Sequence, residues 1–157
     1  MANVQNLVNL ESLILIESES AIKPDAFLSY INRLLACDPD HTEVTKLHTF
    51  KIALPLCTRP QIVELLAHDR LKTLQHLGLM DCREIDDQIA ALIASTGKRL
   101  RTLQLPNSKI TGVGLKKLVL ACPSLAAIDI NGCGSLSMDA VDWARAQGIS
   151  VAWKMGA

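Results

Sequence analysis

A pattern of three apolar residues, spaced as LxxLxL, recurs at nearly constant intervals along the chain. Four copies start 27, 26 and 25 residues apart, at Leu47-Phe50-Ile52, Leu74-Leu77-Leu79, Leu100-Leu103-Leu105 and Leu125-Ile128-Ile130. A fifth copy, Leu10-Leu13-Leu15, lies 37 residues before the first of these. A fixed period of roughly 20 to 50 residues indicates stacked units, each unable to bury its apolar face alone. The pattern predicts a single repeat domain over residues 1–157, with repeats starting near residues 10, 47, 74, 100 and 125.

The second half of each unit has the spacing of a helix. Apolar residues three apart follow the strand pattern in three copies, at Ile62 and Leu65, Ile89 and Leu92, and Leu115 and Leu118. Such pairs mark a helix with one face on the core, and turn residues such as Gly112 separate it from the strand. The units therefore predict an α/β solenoid with a curved parallel sheet on the concave side and helices on the convex side.

The ninth position of each copy distinguishes subclasses of this repeat. It holds Ser18, Pro55, Cys82, Ser108 and Cys133. The fourth copy reads SKITGVGLKKLVLACPSL, with Cys122 near the end of its helix. These residues resemble the cysteine-containing leucine-rich repeats that are common in F-box proteins and related adaptors. The resemblance extends from about Leu7 to Met155, and it departs at Pro55 and at Thr96, where a cysteine would be expected.

The closing segment, residues 149–155, is predicted to be a capping strand. Ile149, Val151, Trp153 and Met155 alternate there, which is typical of a strand with one buried face. A stack of repeats needs a closed end, and we expect Trp153 and Met155 to cover it.

Composition narrows the classes of partner. Sixteen basic and sixteen acidic residues give no net charge, and only 3% of residues are aromatic, so neither nucleic acid nor a membrane is an expected partner. No apolar run reaches the length of a membrane span. Five cysteines at uneven spacing, with no CxxC pair and no signal peptide, favour reduced thiols in the cytosol or nucleus.

The residues between the inward leucines should form the concave face of the sheet. The candidate protein-binding residues there are Thr49, Lys51, His76, Met80, Thr102, Gln104, Asp129 and Asn131. The same face should carry Ser12, Ile14, Ile16, Ala53, Gly78, Pro106 and Ala127. Five strands give a face on the order of 300 Å², whereas a stable interface uses about 800 Å² from each partner. Either loops contribute, or the natural protein has more units.

The first strand favours additional units or a covering partner. Leu13 and Leu15 should point inward while Ile14 and Ile16 point outward, with no capping helix before them. An exposed apolar edge invites pairing. We therefore expect this chain to be the C-terminal part of a longer repeat protein, or a partner to cover its first strand.

The side chains that could carry chemistry have simpler structural interpretations. The spacing of the histidines and cysteines, His76 with Cys82 for example, fits no established zinc pattern, so no bound zinc is expected. Asp86 and Asp87 precede a helix, where carboxylates cap backbone amides more often than they perform acid–base catalysis. The sequence predicts no catalytic residues, no cofactor and no metal, and hence no enzymatic activity.

Three functions remain open at this point. The first is a protein-interaction module, for which the resemblance implies substrate recognition in a Skp1–cullin ubiquitin ligase of the F-box type, leading to ubiquitin-dependent degradation. No F-box precedes the repeats, so docking on Skp1 would require an N-terminal F-box outside this sequence or an adaptor role without one. The second is a structural or assembly subunit of a larger complex. An enzyme based on Cys and His is the weakest alternative.

Overall fold

The computed structural model describes residues 11–15, 24–36 and 47–155. Its centre is a sheet of six parallel strands in chain order, namely β1 (Ser12–Leu15), β2 (Thr49–Ala53), β3 (His76–Met80), β4 (Thr102–Gln104), β5 (Ala127–Asp129) and β6 (Ser150–Ala152). The helices that connect them are α1 (Pro24–Ala36), α2 (Arg59–Leu66), α3 (Asp87–Thr96), α4 (Gly112–Ala121) and α5 (Met138–Ala146), with a 3-10 helix at Asp69–Thr73. The predicted α/β class is confirmed, and the architecture is compatible with a repeat solenoid.

The register of the sheet places equivalent apolar residues side by side. Leu77 pairs with Leu103, and Leu103 pairs with Ile128. The same row continues to Phe50 on one side and to Val151 on the other. The predicted alignment of these residues on adjacent parallel strands is therefore confirmed. Because strand order follows chain order, each strand and helix pack against the elements just before and after them.

The leucine pattern forms the interior. All twelve motif residues from Leu47 to Ile130 are buried in one apolar cluster. Leu13 and Leu15 of β1 are half-buried against the same cluster, whereas Ile14 is 54% exposed, as their alternation predicts. Leu10 lies outside the described residues, as do Ile16, Ser18, Cys37 and His41.

The helices bury a face that is fixed by their N-terminal caps. Counted from the caps Thr58, Asp86, Thr111 and Ser137, the fourth and seventh residues are buried in every case. These residues are Ile62 and Leu65, Ala90 and Ile93, Leu115 and Leu118, and Val141 and Ala144. The prediction was right for α2 and α4. In α3 Ile89 is buried as predicted, while Leu92 is only half-buried against the core, because the cap stands four residues after Cys82 and turns Ile93 inward.

The C-terminal end of the sheet is closed as predicted, although not by all the expected residues. The strand in residues 149–155 is β6, and it pairs in parallel with β5. Trp153 packs against the core and donates from Nε1 to the carbonyl of Cys133 at 3.3 Å. Met155 was wrongly expected to cover the end, since it is 69% exposed beyond the last strand. Arg145 of α5 closes the edge of β6 by donating to the carbonyl of Val151.

Within the described residues, no helix has both the length and the apolar character needed to cross a membrane.

Candidate functional site

The side of the sheet turned away from the helices carries the predicted binding residues. We call this side the open face, and its residues are Thr49, Lys51, Ala53, His76, Gly78, Met80, Thr102, Gln104, Ala127 and Asp129. They alternate with the buried core residues, and all of them except Gly78 are half-buried. Asn131 and Pro106 lie just beyond the ends of β5 and β4.

The strand register arranges the open face in rows that run across the sheet. The middle row consists of Lys51, Gly78, Gln104 and Asp129, one from each strand from β2 to β5. A second row holds Thr49, His76, Thr102 and Ala127. The sequence predicted which residues share the face, and the register adds which of them are neighbours.

His76 is held in place by the next strand. Its Nδ1 lies 2.8 Å from Oγ1 of Thr102, its register partner on β4. The hydroxyl can accept or donate, so this contact suits either neutral tautomer of the imidazole. The ring is therefore oriented across the row, toward β4.

Gly78 forms a depression in the centre of the open face. A Cβ at this position would lie 2.9 Å from Cε of Met80, 3.1 Å from Cγ of Lys51 and 3.3 Å from Oε1 of Gln104. Three flexible side chains thus lean over the glycine, and they explain why it is buried. If the Met80 side chain moved, a notch would open above Gly78, because glycine has no side chain to fill that space. Gly78 was expected on this face, but its shielding depends on neighbouring strands and could not be read from the sequence.

Two amide oxygens, one on the open face and one just after β5, have no hydrogen-bond donor among the described residues. Oε1 of Gln104 and Oδ1 of Asn131 are shielded from solvent, and no described residue donates to either atom. Asp129 lies next to both residues. Its Oδ1 accepts from the backbone N–H of Asn131 at 3.1 Å and from Nδ2 of Asn131 at 2.8 Å. The acceptors therefore gather on β4 and β5, at one end of the middle row.

The loops after the strands border the open face with a cleft of about 750 Å³. Asp81 and Asn107 have positive φ angles of 55° and 59°, and Gly132 takes the equivalent place with a φ of 74°. Nδ2 of Asn107 donates to Oδ1 of Asp81 at 3.1 Å, which links two successive turns. Arg83 and Lys109 also line the cleft. The cleft thus adds loop residues to the surface next to the strands.

Two cysteines at the predicted ninth position lie in the core, in the turns that follow β3 and β5. Cys82 and Cys133 have no exposed surface, and Sγ of Cys133 lies 3.1 Å from Oγ of Ser108. Burial is the main cause that raises the pKa of both thiols. In the second unit Pro55 is exposed, and the buried thiol belongs to Cys57.

Cys57 was missed because the second unit has one more buried residue along its strand. Leu54 follows Phe50 and Ile52 at the same spacing of two, and the backbone N–H of Cys57 bonds the carbonyl of Leu54. The N–H of Cys133 bonds the carbonyl of Ile130 in the same way. The extra alternating apolar residue was the signal. Burial, with repulsion from Cys82 and Asp25, raises the pKa of Cys57 to about 11.

Asp86 and Asp87 cap helices, as the sequence indicated. Oδ1 of Asp86 accepts from the N–H groups of Gln88 and Ile89 in its own helix. Asp87 instead caps the following helix, α4, through Thr111 and Gly114. In the described part of the chain no three His, Cys, Asp or Glu side chains come together in a way that could hold a metal ion.

The six parallel strands and their connecting helices are compatible with a repeat solenoid. The chain is 31% identical over 142 residues to the F-box/TPR repeat protein pof3 of Schizosaccharomyces pombe, an alignment that covers 87% of this chain and 24% of the relative. It is 39% identical over 75 residues to F-box/LRR-repeat protein 4 of Bos taurus, which covers 46% of this chain and 12% of the relative. No family model matches the chain. The chain thus spans a quarter or less of the length of these relatives, and the similarity fits a protein-interaction role.

Proposed function

We propose that this chain is a protein-interaction module whose open face and adjoining loops hold another polypeptide. The observation that carries the proposal is the middle row, in which consecutive strands present Lys51, Gly78, Gln104 and Asp129 in register. The hydrogen-bonded sheet fixes the spacing of these residues before binding, which lowers the entropy lost when a partner docks. Absence of net charge is the reason that nucleic acid and membranes are left out of the proposal.

The units are proposed to be leucine-rich repeats of the cysteine-containing class, curved so that the open face is concave. The buried thiols of Cys57, Cys82 and Cys133 support this assignment, because each lies in the turn that follows a strand. A small apolar thiol packs there without a charged form, since burial raises its pKa. The same burial supports a binding role over a catalytic one, since a reactive cysteine is an accessible thiolate.

The finer proposal is substrate recognition for a Skp1–cullin ubiquitin ligase, in the cytosol or nucleus. Both relatives described above are named as F-box proteins, and the match lies in only part of each. In such an arrangement an F-box would contact Skp1, and the open face would select the protein to be degraded.

A structural subunit of a larger complex is the second candidate. Ile14 on β1 is 54% exposed, and Leu56 in the loop after β2 is 74% exposed. β1 is also an edge strand of the described sheet, and an exposed apolar edge strand is typical of an edge that a partner covers.

Affinity purification tests these proposals. The intact chain is compared with a triple change of His76, Met80 and Gln104 to Ala, and with a control triple change of Arg99, Lys117 and Asp139 to Ala on exposed positions outside the open face. We expect the first triple change to lose the bound polypeptide and the control to retain it. Equal recovery with both would overturn the role of the open face. Recovery of Skp1 and cullin indicates the ligase, whereas one stoichiometric partner without them indicates a structural subunit.

A further inference from the structure

Two hydrogen-bond acceptors on the open face and at its border receive no donor from the part of the chain that the structure describes. Oε1 of Gln104 and Oδ1 of Asn131 are both shielded from solvent, and neither accepts a hydrogen bond from the described residues. Acceptors in this condition are rare in folded proteins because they have lost water without gaining a donor. Both residues neighbour Asp129, Gln104 by strand register and Asn131 by its hydrogen bond, and a donor for their oxygens has to come from outside the described residues.

Asp129 adds a negative charge to the same place. It pairs in register with Gln104 across β4 and β5. The bond from Nδ2 of Asn131 to Oδ1 of Asp129, 2.8 Å long, sets the orientation of the amide, so Oδ1 of Asn131 cannot be the nitrogen. The backbone N–H of Asn131 reaches the same carboxylate oxygen. No donor among the described residues reaches Oδ2 of Asp129, which leaves it as a third acceptor.

We propose that this acceptor cluster, formed by Gln104, Asp129 and Asn131, binds an arginine side chain of the polypeptide partner. The inference rests on the proposed function and names the chemistry of its partner. A guanidinium carries five N–H donors in a plane and no acceptor, so it matches a carboxylate flanked by two amide oxygens. A lysine ammonium has three donors and holds its water more strongly, so it fits less well.

The depression at Gly78 gives the arginine a way in. The point where a Cβ of Gly78 would lie is 2.9 Å from Cε of Met80 and 3.3 Å from Oε1 of Gln104, so the end of Met80 occupies the space beside the orphan oxygen. A methionine has three rotatable side-chain bonds and repacks easily. When Met80 moves aside, its thioether and the glycine form an apolar wall for the arginine methylenes.

The test is a titration of the full 157-residue chain with capped tripeptides, followed by amide NMR shifts. The probes are acetyl-Gly-Arg-Gly-amide, the same peptide with lysine, and the same peptide with citrulline, which has nearly the shape of arginine but no charge. We expect the arginine peptide to shift the signals of Gly78, Gln104 and Asn131, and to bind about tenfold more tightly than the citrulline peptide. Equal binding of the arginine and citrulline peptides would overturn the inference, as would shifts confined to other surfaces.

Two variants locate the site. Asp129→Asn should weaken the arginine peptide about tenfold, whereas Asp139→Asn on α5 should leave it unchanged. Gln104→Met keeps the size of the side chain and removes its acceptor, so it serves if Asp129→Asn disturbs the spectrum of the free chain. The inference is refuted if the arginine peptide binds Asp129→Asn and Gln104→Met as tightly as it binds the original chain. The two experiments can also give different results. If the triple change at His76, Met80 and Gln104 abolishes recovery of the polypeptide partner but arginine peptides do not bind the original chain, the arginine inference is refuted and the proposed function stands.

Discussion

The carboxylate of Asp87, in the first turn of α3, holds Thr111 at the start of α4. The backbone N–H of Thr111 donates to Oδ1 at 2.8 Å, and its hydroxyl donates to Oδ2 at 2.6 Å. The N–H of Gly114 adds a third bond at 3.1 Å. Lys98 joins the other ends of the same two helices by donating to the carbonyls of Ala94 and Ala121, each at 3.0 Å. Neighbouring helices are thus bonded at both ends, in addition to sharing a core.

We expect Asp87→Ala to lower the free energy of unfolding by about 1 to 3 kcal/mol, because it leaves the first amides of α4 without an acceptor. Urea unfolding monitored by circular dichroism measures the change. Asp142→Ala is the control, since that carboxylate pairs with Arg145 on the surface and should contribute less than about 1 kcal/mol. A loss with Asp87→Ala no larger than with the control would contradict the role assigned to the cap.

Leu103→Ala should destabilise the chain by about 2 to 5 kcal/mol, because it opens a cavity between β4 and the helices. Leu103 has no exposed surface and pairs in register with Leu77 and Ile128. His76→Ala removes one surface contact with Thr102 and should cost about 1 kcal/mol or less. Thermal unfolding of both variants provides the comparison, and similar melting temperatures would show that the shared core is not the main source of stability.

Gly132→Ala and Gly134→Ala form a matched pair in one loop. Gly132 has a φ of 74°, and a Cβ there would collide with Oδ1 of Asn107. The strain of a left-handed backbone costs about 1 to 2 kcal/mol for a residue with a side chain, and the collision adds to it. At Gly134 a Cβ would meet nothing within 4 Å, so alanine should be neutral or stabilising by up to about 1 kcal/mol. Chemical denaturation of the pair tests the difference, and a more stable Gly132→Ala chain would refute it.

Stability should fall between about pH 9 and pH 11. Burial and the charges near Cys57 raise its folded-state pKa from 9.0 to about 11, so the unfolded chain loses its proton first. The stability present below pH 9 is therefore lost as the pH rises toward the folded pKa, by up to about 3 kcal/mol at 1.4 kcal/mol per pKa unit.

Cys57→Ala isolates this effect, because the other ionisable groups remain in both chains. Urea unfolding in the presence of a reductant, at several pH values from about 8 to 11, should show a flatter pH dependence for the variant. An identical slope for the two chains would mean that the Cys57 thiol is not held in its neutral form.

Much of the fold could be predicted because the core is made by one short pattern that repeats. Leu103 and its counterparts needed only their spacing to be placed in neighbouring strands. The helix faces were harder, since the number of residues between the turn and the cap varies from unit to unit. One additional residue before Asp86 rotates α3 by about 100°, which turned Leu92 partly outward and Ile93 inward. Cys57 was missed for a similar reason, because an extra buried Leu54 shifts the position where the thiol is needed.

The candidate site was predicted as a set of residues but not as an arrangement. Alternation along a strand assigned Lys51, Gln104 and Asp129 to one face, because successive side chains point to opposite sides. It could not show that Met80 covers Gly78, or that Gln104 and Asn131 lack donors. Those features arise between strands that are about 25 residues apart in the chain.

The amino-acid order alone determined that apolar residues at a constant period must share a single interior, since no unit can bury them by itself. The tertiary structure decided how the units fit together, including which carboxylate caps which helix and where the open face has a notch. The physical reason is the distance along the chain over which each feature is determined. Periodicity is a local property of the chain, whereas hydrogen bonds and steric contacts between units depend on angles and register that only the assembled stack fixes.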